Sequence, residues 1–383
     1  MKKISILFIV LIVLFFACLG TPEPAIDQSK LSTAFADHIM STYPNPVFIV
    51  NKGWEYNTSI ILHGMEKVYK KTKNPVYLEY IKKWVDNYVS DNGKVRLDRA
   101  ARNLDYLHPG ILLLFLWEET KEEKYKLAAE DIRKEFDDQP RNGDGGFWHK
   151  QRYPNEMWVD GIYMGEPFIM KYGALFGEEE KSADEATLQT LLIAQHTLDS
   201  RTNLLYHGWD WDKNAVWVDS KTGVSKIIWS RGMGWFAMAL VDILEYLPKD
   251  HKDYPKILAF LNQVVEGLKK TQDLKTGLWY QVMDRPDASD NWFETSGSAM
   301  FVYAIKNAVD RGYIPADYLV VAEKGWAGVK TMVSFPGGKP RISGAVQGMG
   351  IKSSYKEYVS QSRLTNSAHG YAAILFASSA MEY

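Results

Sequence analysis

The chain of 383 residues contains a single cysteine, Cys18. One cysteine excludes an intramolecular disulfide and any metal centre built from several cysteines. An excess of charge of one sign is also missing, because 45 Lys and Arg residues balance 47 Asp and Glu residues to a formal net charge of −2. This balance excludes a generally basic nucleic-acid-binding protein, and a hydrophobic content of 46% excludes a disordered low-complexity chain.

The signatures of several enzyme classes are missing as well. The sequence has no glycine-rich phosphate loop, no dinucleotide-binding fingerprint and no nucleophile elbow. Its eight histidines are scattered and do not form a set of metal ligands. We therefore expect neither a nucleotide cofactor nor a metal ion.

A long uncharged hydrophobic run occurs at the N-terminus, over residues 4–17, after Lys2 and Lys3. It falls short of the roughly 20 residues that span a bilayer and has the length of a signal-peptide core. Cys18 follows directly, as in bacterial lipoprotein signals whose cysteine becomes lipidated; a plain secretory signal is the alternative. We predict a signal peptide over 1–17, lipidated Cys18 with a tether over 18–30, and an exported periplasmic or cell-surface lipoprotein.

What the chain has in excess is aromatic residues, with 13 Trp, 22 Tyr and 16 Phe. Aromatic rings can stack on the apolar faces of sugars, whereas packing in the core is the other use for them. Their positions favour the first explanation for most tryptophans, because eight lie in helix openings or in the loops before them: Trp54, Trp148, Trp158, Trp209, Trp229, Trp235, Trp279 and Trp292.

Strand patterns are scarce, and apolar residues recur at helical spacing. Six unusually apolar helices rich in small residues open on polar or aromatic clusters, which begin at Trp54, Leu104, Met157, Trp229, Trp292 and Leu364. Charged amphipathic helices lie between them. The alternation predicts an all-α (α/α)6 barrel of six inner and six outer helices, in one catalytic domain over residues 31–383.

Three loops, at residues 145–151, 203–210 and 276–284, share a turn followed by aromatic residues, and each precedes an inner helix. In a barrel such loops gather at one end, so we expect them to carry the functional site.

Two aspartates are candidates for acid–base chemistry. Asp160 enters an otherwise apolar helix in the segment WVDGIYMG, where desolvation would raise its pKa and suit it to donate a proton. The alternative is that Asp160 caps the helix N-terminus. Asp105 occupies the matching place in the second opening, where capping near Pro109 is also possible. Together the two carboxylates would supply an acid and a base.

Arg231 lies between Trp229 and Trp235 at the glycine-rich start of an inner helix, WSRGMGWF. A buried arginine is costly without an anion, which is supplied either by a ligand or by a neighbouring acidic side chain. Both explanations stay open at this point.

His207 lies in the loop segment HGWD, and His149 and Lys150 lie in FWHK. These side chains suit hydrogen bonds to sugar hydroxyls or to a carboxylate. An ordinary surface role is the alternative for His149 and Lys150.

Taken together, WVDGIYMG around Asp160, HGWD from His207 and WSRGMGWF from Trp229 resemble glycoside hydrolase family 105, the unsaturated rhamnogalacturonyl hydrolases. The resemblance covers essentially the whole mature chain and implies an (α/α)6 barrel. The related family 88, the unsaturated glucuronyl hydrolases, shares the barrel and the aspartate pair.

The resemblance implies that the substrate carries a terminal 4,5-unsaturated uronic acid left by a polysaccharide lyase. Asp160 would protonate C4 of the double bond and then accept a proton from the water that adds at C5. Asp105 would bind ring hydroxyls and tune Asp160. The carboxylate-separation rule of retaining and inverting glycosidases does not apply to this reaction.

The resemblance also implies a set of substrate contacts, no metal and no organic cofactor. The contacts are Trp54, His149, Lys150, Trp158, His207, Trp229, Arg231 and Trp235. We expect a monomer that binds an unsaturated oligosaccharide, does not bind nucleic acid and meets a membrane only through its lipid anchor. The competing hypotheses are a glucuronyl hydrolase acting on glycosaminoglycan or other unsaturated oligosaccharides, a non-catalytic glycan-binding lipoprotein, and a sugar epimerase.

Overall fold

The structure is a computed structural model that describes residues 30–383. The predicted signal peptide (1–17), the lipidation site at Cys18 and all but the last residue of the tether (18–30) lie outside the described residues. The predictions made for them are therefore not tested by the fold.

Two concentric rings of helices form the described part of the chain. The inner helices are α2 (Tyr56–Thr72), α4 (Gly110–Thr120), α6 (Val159–Phe176), α8 (Ser230–Tyr246), α10 (Thr295–Asp310) and α13 (Ala368–Met381). The outer helices are α1 (Leu31–Thr42), α3 (Pro75–Asp86), α5 (Glu123–Asp137), α7 (Glu179–Thr197), α9 (Tyr254–Thr271) and α11 (Leu319–Thr331). Each inner helix contacts the next, and α13 packs on α2 to close the ring. The predicted (α/α)6 barrel is confirmed.

Glycines allow the inner helices to approach closely. A Cβ atom on Gly297 of α10 would lie 2.3 Å from Ser230 Oγ at the start of α8. A Cβ atom on Gly64 of α2 would lie 2.7 Å from the Cβ atom of Leu375 in α13. Both distances are below any normal contact, so the small residues noted in the sequence are required by the packing of the ring.

Short strands lie in the loops that connect the rings. They are β1 (Glu156–Trp158), β2 (Leu198–Asp199), β3 (Leu204–Leu205), β4 (Gly208–Asp210), β5 (Val333–Ser334), β6 (Arg341–Val346) and β7 (Arg363–Thr365). β1 pairs with β4, β2 with β3, and β6 lies between β5 and β7, all antiparallel. Strands of two to six residues are too short to show an alternating pattern. A short helix, α12 (Tyr355–Val359), follows β6 outside both rings.

The β1–β4 pair joins two of the predicted loops directly. Met157 lies opposite Trp209, and Trp158 lies opposite Gly208. The backbone N–H of Val159 also donates to the carbonyl of His207, which fixes the first residue of α6 against that loop. Sequence segments about fifty residues apart are thereby brought together at the start of an inner helix.

Between residues 30 and 383, no helix combines the length and the apolar character needed to cross a bilayer.

Candidate active site

A cavity of about 840 Å³ opens at the end of the barrel where the inner helices begin. Six of the predicted site residues line it: Asp105, His149, Lys150, Trp158, Asp160 and Trp235. The structure therefore brings both candidate carboxylates and two of the predicted tryptophan contacts, Trp158 and Trp235, into one space.

Asp160 lies in the first turn of α6 with its carboxylate at the cavity. Trp158 occupies the N-cap position, and Asp160 Oδ2 lies 3.1 Å from His207 Nε2, so Asp160 bonds to a side chain from another loop. Burial acts to raise the pKa of Asp160, but the electrostatic pull and the hydrogen bond of His207, with His149 and Arg231, outweigh it, and the pKa lies below its usual value. The expected upward shift of the Asp160 pKa is thus wrong.

Asp105 is held by two neighbours from one loop. Lys150 Nζ donates to Asp105 Oδ2 at 2.5 Å, and His149 Nε2 lies 3.7 Å from Asp105 Oδ1. Burial, together with Lys150, lowers the pKa of His149 to about 4 although Asp105 acts to raise it, so the imidazole is neutral at neutral pH. The cap of this turn is Asn103, whose side chain accepts the backbone N–H of Asp105. The carboxylate of Asp105 is therefore not the helix cap.

Two tryptophans form walls of the cavity. Trp158 is stacked between His149, with ring centroids 4.3 Å apart, and Tyr153, at 4.9 Å. Its indole N–H donates to Glu156 Oε2 at 2.8 Å, which fixes the plane of the ring. Trp235 stacks on Tyr163 at 5.1 Å. Both rings line the cavity although Trp158 is only 7% and Trp235 only 1% exposed, so they form fixed walls that apolar parts of a sugar could meet.

Three predicted contacts lie behind the wall and do not line the cavity. His207 is fully buried and reaches the site only through Asp160. Trp229 packs against His207, with ring centroids 4.5 Å apart, and donates its indole N–H to Gln281 Oε1 at 3.1 Å. In this structure His207 and Trp229 support the carboxylate of Asp160, and their direct contact with substrate stays a prediction.

Arg231 is the third of these residues and is 1% exposed. Its guanidinium donates to the carbonyls of Val346 and Gln347, at 2.6 and 2.7 Å, and to Ser296 Oγ at 3.3 Å. These partners are two backbone carbonyls and a hydroxyl group. They are neither the anionic ligand nor the acidic side chain that were the two alternatives for Arg231. The arginine instead anchors the segment after β6, whose residues 348–350 line the cavity.

Trp54 does not line the cavity either. Its indole stacks on Trp84 with ring centroids 5.2 Å apart, and its N–H donates to the carbonyl of Tyr106 at 3.0 Å. The structure corrects this prediction, because Trp54 packs in the core and holds the turn that carries Asp105.

Several residues of the cavity were not predicted from the sequence. Tyr56 Oη lies 3.1 Å from His369 Nε2, and both side chains line the cavity with Lys52 and Arg152. Burial holds the pKa of His369 well below its usual range, so this imidazole is neutral. Tyr56 and His369 lie in two of the six helix openings identified in the sequence. Their position near the start of an inner helix was the feature from which their place in the cavity could have been predicted.

The part of the chain that the structure describes contains no group of three or more His, Cys, Asp or Glu side chains that could hold a metal ion.

An (α/α)6 barrel whose terminal cavity holds the carboxylates of Glu55, Asp105 and Asp160 between aromatic walls defines a carbohydrate-active enzyme. Comparison with known proteins gives its family. The model of Glycosyl Hydrolase Family 88 matches residues 31–383. A glycoside hydrolase from family 105 of C. acetobutylicum ATCC 824 is 36% identical, with a TM-score of 0.87 over 92% of this chain and 99% of that one. The chain belongs to this group of glycoside hydrolases and is a member of family 105.

Two further relatives extend the comparison. The unsaturated rhamnogalacturonyl hydrolase YesR of Bacillus subtilis is 25% identical over 337 residues, which cover 86% of this chain and 90% of the relative. The unsaturated glucuronyl hydrolase of Bacillus sp. GL1, responsible for the degradation of glycosaminoglycan, is 12% identical with a TM-score of 0.66, over 90% of this chain and 93% of that one. The second likeness shows the fold alone.

Proposed function

We propose that this glycoside hydrolase releases the non-reducing-end 4,5-unsaturated uronic acid from lyase-generated, rhamnogalacturonan-type pectin oligosaccharides. The observation that carries the proposal is Asp160, a carboxylate at the cavity that is bonded to His207 and faced by the walls Trp158 and Trp235. The likeness to the Bacillus subtilis rhamnogalacturonyl hydrolase over most of both chains supports the substrate class.

The reaction follows from the vinyl ether of such a substrate. Protonated Asp160 transfers its proton to C4, and positive charge develops at C5 and the ring oxygen. Water adds at C5 and returns a proton to the Asp160 carboxylate, so that the acid is regenerated. The resulting hemiketal opens, and the bond to the next sugar breaks without attack on the anomeric carbon. One carboxylate thus serves as acid and then as base.

The low pKa of Asp160 suggests a second role for the substrate. A uronate brings its own carboxylate into the cavity, and a like charge near Asp160 disfavours the ionised form. Substrate binding would therefore raise the pKa of Asp160 and load it with the proton needed at C4. Asp105 does not compete for this role, because Lys150 neutralises its charge at 2.5 Å.

A panel of lyase products tests the substrate class. We expect loss of the absorbance of the conjugated double bond with an unsaturated galacturonyl-rhamnose disaccharide, at a higher kcat/KM than with unsaturated glucuronyl disaccharides from glycosaminoglycan. A preference for the glucuronyl substrates would favour the glucuronyl hydrolase alternative. Binding without any turnover would favour a non-catalytic glycan-binding protein.

We also propose that the enzyme is exported, is a monomer, and is anchored to a membrane through lipid on Cys18, with residues 31–383 as its catalytic domain. The support is the charged start, the apolar run over 4–17 and the cysteine that follows it. In a bacterial host, the full chain should carry metabolically labelled fatty acid and sediment with membranes, whereas a Cys18→Ser variant should lose the label. Retention of the label by the variant would contradict lipidation at Cys18.

A further inference from the structure

We propose that Tyr358 is a positioning residue of this active site. Its phenol fixes the proton of His207 on Nε2, so that His207 donates to Asp160. The effect of Tyr358 on kinetics rests on the function proposed above, whereas the position of the His207 proton can be measured without substrate.

The three side chains form a continuous buried chain of hydrogen bonds. Tyr358 Oη lies 2.6 Å from His207 Nδ1, and His207 Nε2 lies 3.1 Å from Asp160 Oδ2. Tyr358 and His207 are fully buried, and neither lines the cavity. Tyr358 therefore acts on the reaction through His207.

The direction of the first hydrogen bond follows from the other contact of the phenol. The backbone N–H of Lys352 points to the same oxygen at 3.4 Å, so that this oxygen acts there as an acceptor. Burial raises the pKa of Tyr358 far above its usual value, which keeps the phenol protonated. The phenolic proton is then directed to Nδ1 of His207.

The tautomer of His207 follows from that direction. A neutral imidazole that accepts at Nδ1 carries its proton on Nε2. Nε2–H then faces the carboxylate of Asp160 as a donor, which stabilises the ionised form of Asp160 and fixes the orientation of its oxygens. The opposite tautomer would place two acceptors against each other whenever Asp160 is ionised.

Tyr358 is itself held by the residues under the site. Gln281 Nε2 donates to the carbonyl of Tyr358 at 3.2 Å, while Gln281 Oε1 accepts the indole N–H of Trp229. The Trp229 ring lies against His207 and also 6.5 Å from the Tyr358 ring. α12, an element outside the barrel rings, is thereby fixed to the start of α8. This arrangement gives Trp229 a role that needs no contact with substrate.

Several other ionisable groups face this chain and would contribute to its pH dependence. Around Asp160 they come from different elements: His149 before β1, Arg231 of α8 and Tyr56 of α2. Glu357, next to Tyr358 in α12, also acts on the phenol. None of them is altered by a change at position 358, so a comparison of variants isolates the phenol.

The proton position can be read by NMR of protein labelled with 15N-histidine. We expect His207, assigned from the signal lost in His207→Gln, to show the Nε2–H tautomer in the wild type. Because ionised Asp160 also favours this tautomer, the variants are compared in an Asp160→Ala background, where Tyr358→Phe should give a mixture or the Nδ1–H tautomer. Tyr355→Phe is the matched control, because its phenol lies on the same helix but donates to Asp290 at the surface. An unchanged His207 tautomer in Tyr358→Phe in that background would overturn the proposal.

Kinetics test the consequence for catalysis. Without Tyr358, the donor to ionised Asp160 is weakened and the pKa of Asp160 rises, so the alkaline limb of kcat/KM should move to higher pH in Tyr358→Phe. At the pH optimum, kcat should be about tenfold lower, because the carboxylate of Asp160 is less well oriented. Combining Tyr358→Phe with His207→Gln should add little to His207→Gln alone. A uniformly lowered profile whose limbs do not move, or full additivity, would indicate a merely structural role and contradict the proposal.

A variant that preserves the shape of the side chain covers the case in which Tyr358→Phe folds poorly. 3,5-Difluorotyrosine incorporated at position 358 has a more acidic phenol and donates more strongly to Nδ1. We expect the alkaline limb to move to lower pH, opposite to Tyr358→Phe. A shift in the same direction would overturn the proposal. Absence of turnover by the wild type on every lyase product would count against the proposed function alone, since the NMR result needs no substrate.

Discussion

Two carboxylates four residues apart in the chain have pKa values shifted in opposite directions. Burial raises the pKa of Glu156 to about 7, with help from Asp210 and against the hydrogen bond from Trp158. Desolvation also acts to raise the pKa of the partly exposed Asp160, yet His207 and its neighbours lower it. The decisive difference is the partner across the hydrogen bond. From the sequence alone only burial could be anticipated, because His207 lies 47 residues further along the chain.

The raised pKa of Glu156 predicts how the free energy of unfolding depends on pH. The pKa of Glu156 in the folded state, about 7, lies above the usual glutamate value of 4.5. Between pH 4.5 and 7 the folded protein therefore binds more protons than the unfolded chain, and its stability falls as pH rises. We expect Glu156→Gln, which keeps an acceptor for Trp158, to exceed the wild type by about 2 kcal/mol in free energy of unfolding at pH 8. This advantage should vanish below pH 4.5.

Denaturant unfolding at several pH values provides the measurement. Glu323→Gln removes the same charge from an exposed position on α11 and serves as control. Equal pH dependence of the wild type and Glu156→Gln would show that Glu156 does not titrate as described.

At the scale of the elements, the close packing of the inner helices depends on small residues. A Cβ atom on Gly297 would lie 2.3 Å from Ser230 Oγ and 2.8 Å from the Ser230 backbone carbonyl carbon. These distances leave no room for a methyl group at position 297. Gly370, in contrast, would place its Cβ atom at an ordinary 3.4 Å from the nearest side-chain atom. The two helical glycines therefore separate the effect of crowding from that of helix propensity.

We expect Gly297→Ala to lower the free energy of unfolding by about 1–3 kcal/mol, because overpacking shifts α10 against α8. Gly370→Ala should be neutral or slightly stabilising, since alanine favours the helix. Thermal and denaturant unfolding of the two variants provide the comparison. A Gly297→Ala variant as stable as Gly370→Ala would contradict the account of the inner ring.

The elements also mark how far the sequence could predict the site. The six inner helices and their openings repeat, so Asp105, Asp160 and Trp158 could be placed in one cavity before any coordinates. Tyr358 lies on a five-residue helix between short strands, where no period exists to detect. Arg231 and Trp54 were recognised as unusual, but the same residue types serve to bind a ligand or to hold a carbonyl. Tertiary contacts decide between these uses.

At the scale of the whole molecule, the loops before the inner helices gather at one end of the barrel, where the cavity of about 840 Å³ opens. Further along α2, Glu66 is buried and forms an ion pair with Lys70 at 2.7 Å. A cavity at one end of the barrel suits the proposed release of one terminal sugar.

The central claim is that Asp160 delivers and then accepts the proton in hydration of the double bond. The most direct test is the initial rate of absorbance loss on an unsaturated galacturonyl-rhamnose disaccharide, for the wild type and Asp160→Asn at equal folded concentration. We predict that the amide, which cannot donate this proton, lowers kcat by at least about 100-fold with unchanged thermal stability. A correctly folded Asp160→Asn variant that retains a near wild-type rate would contradict the assignment.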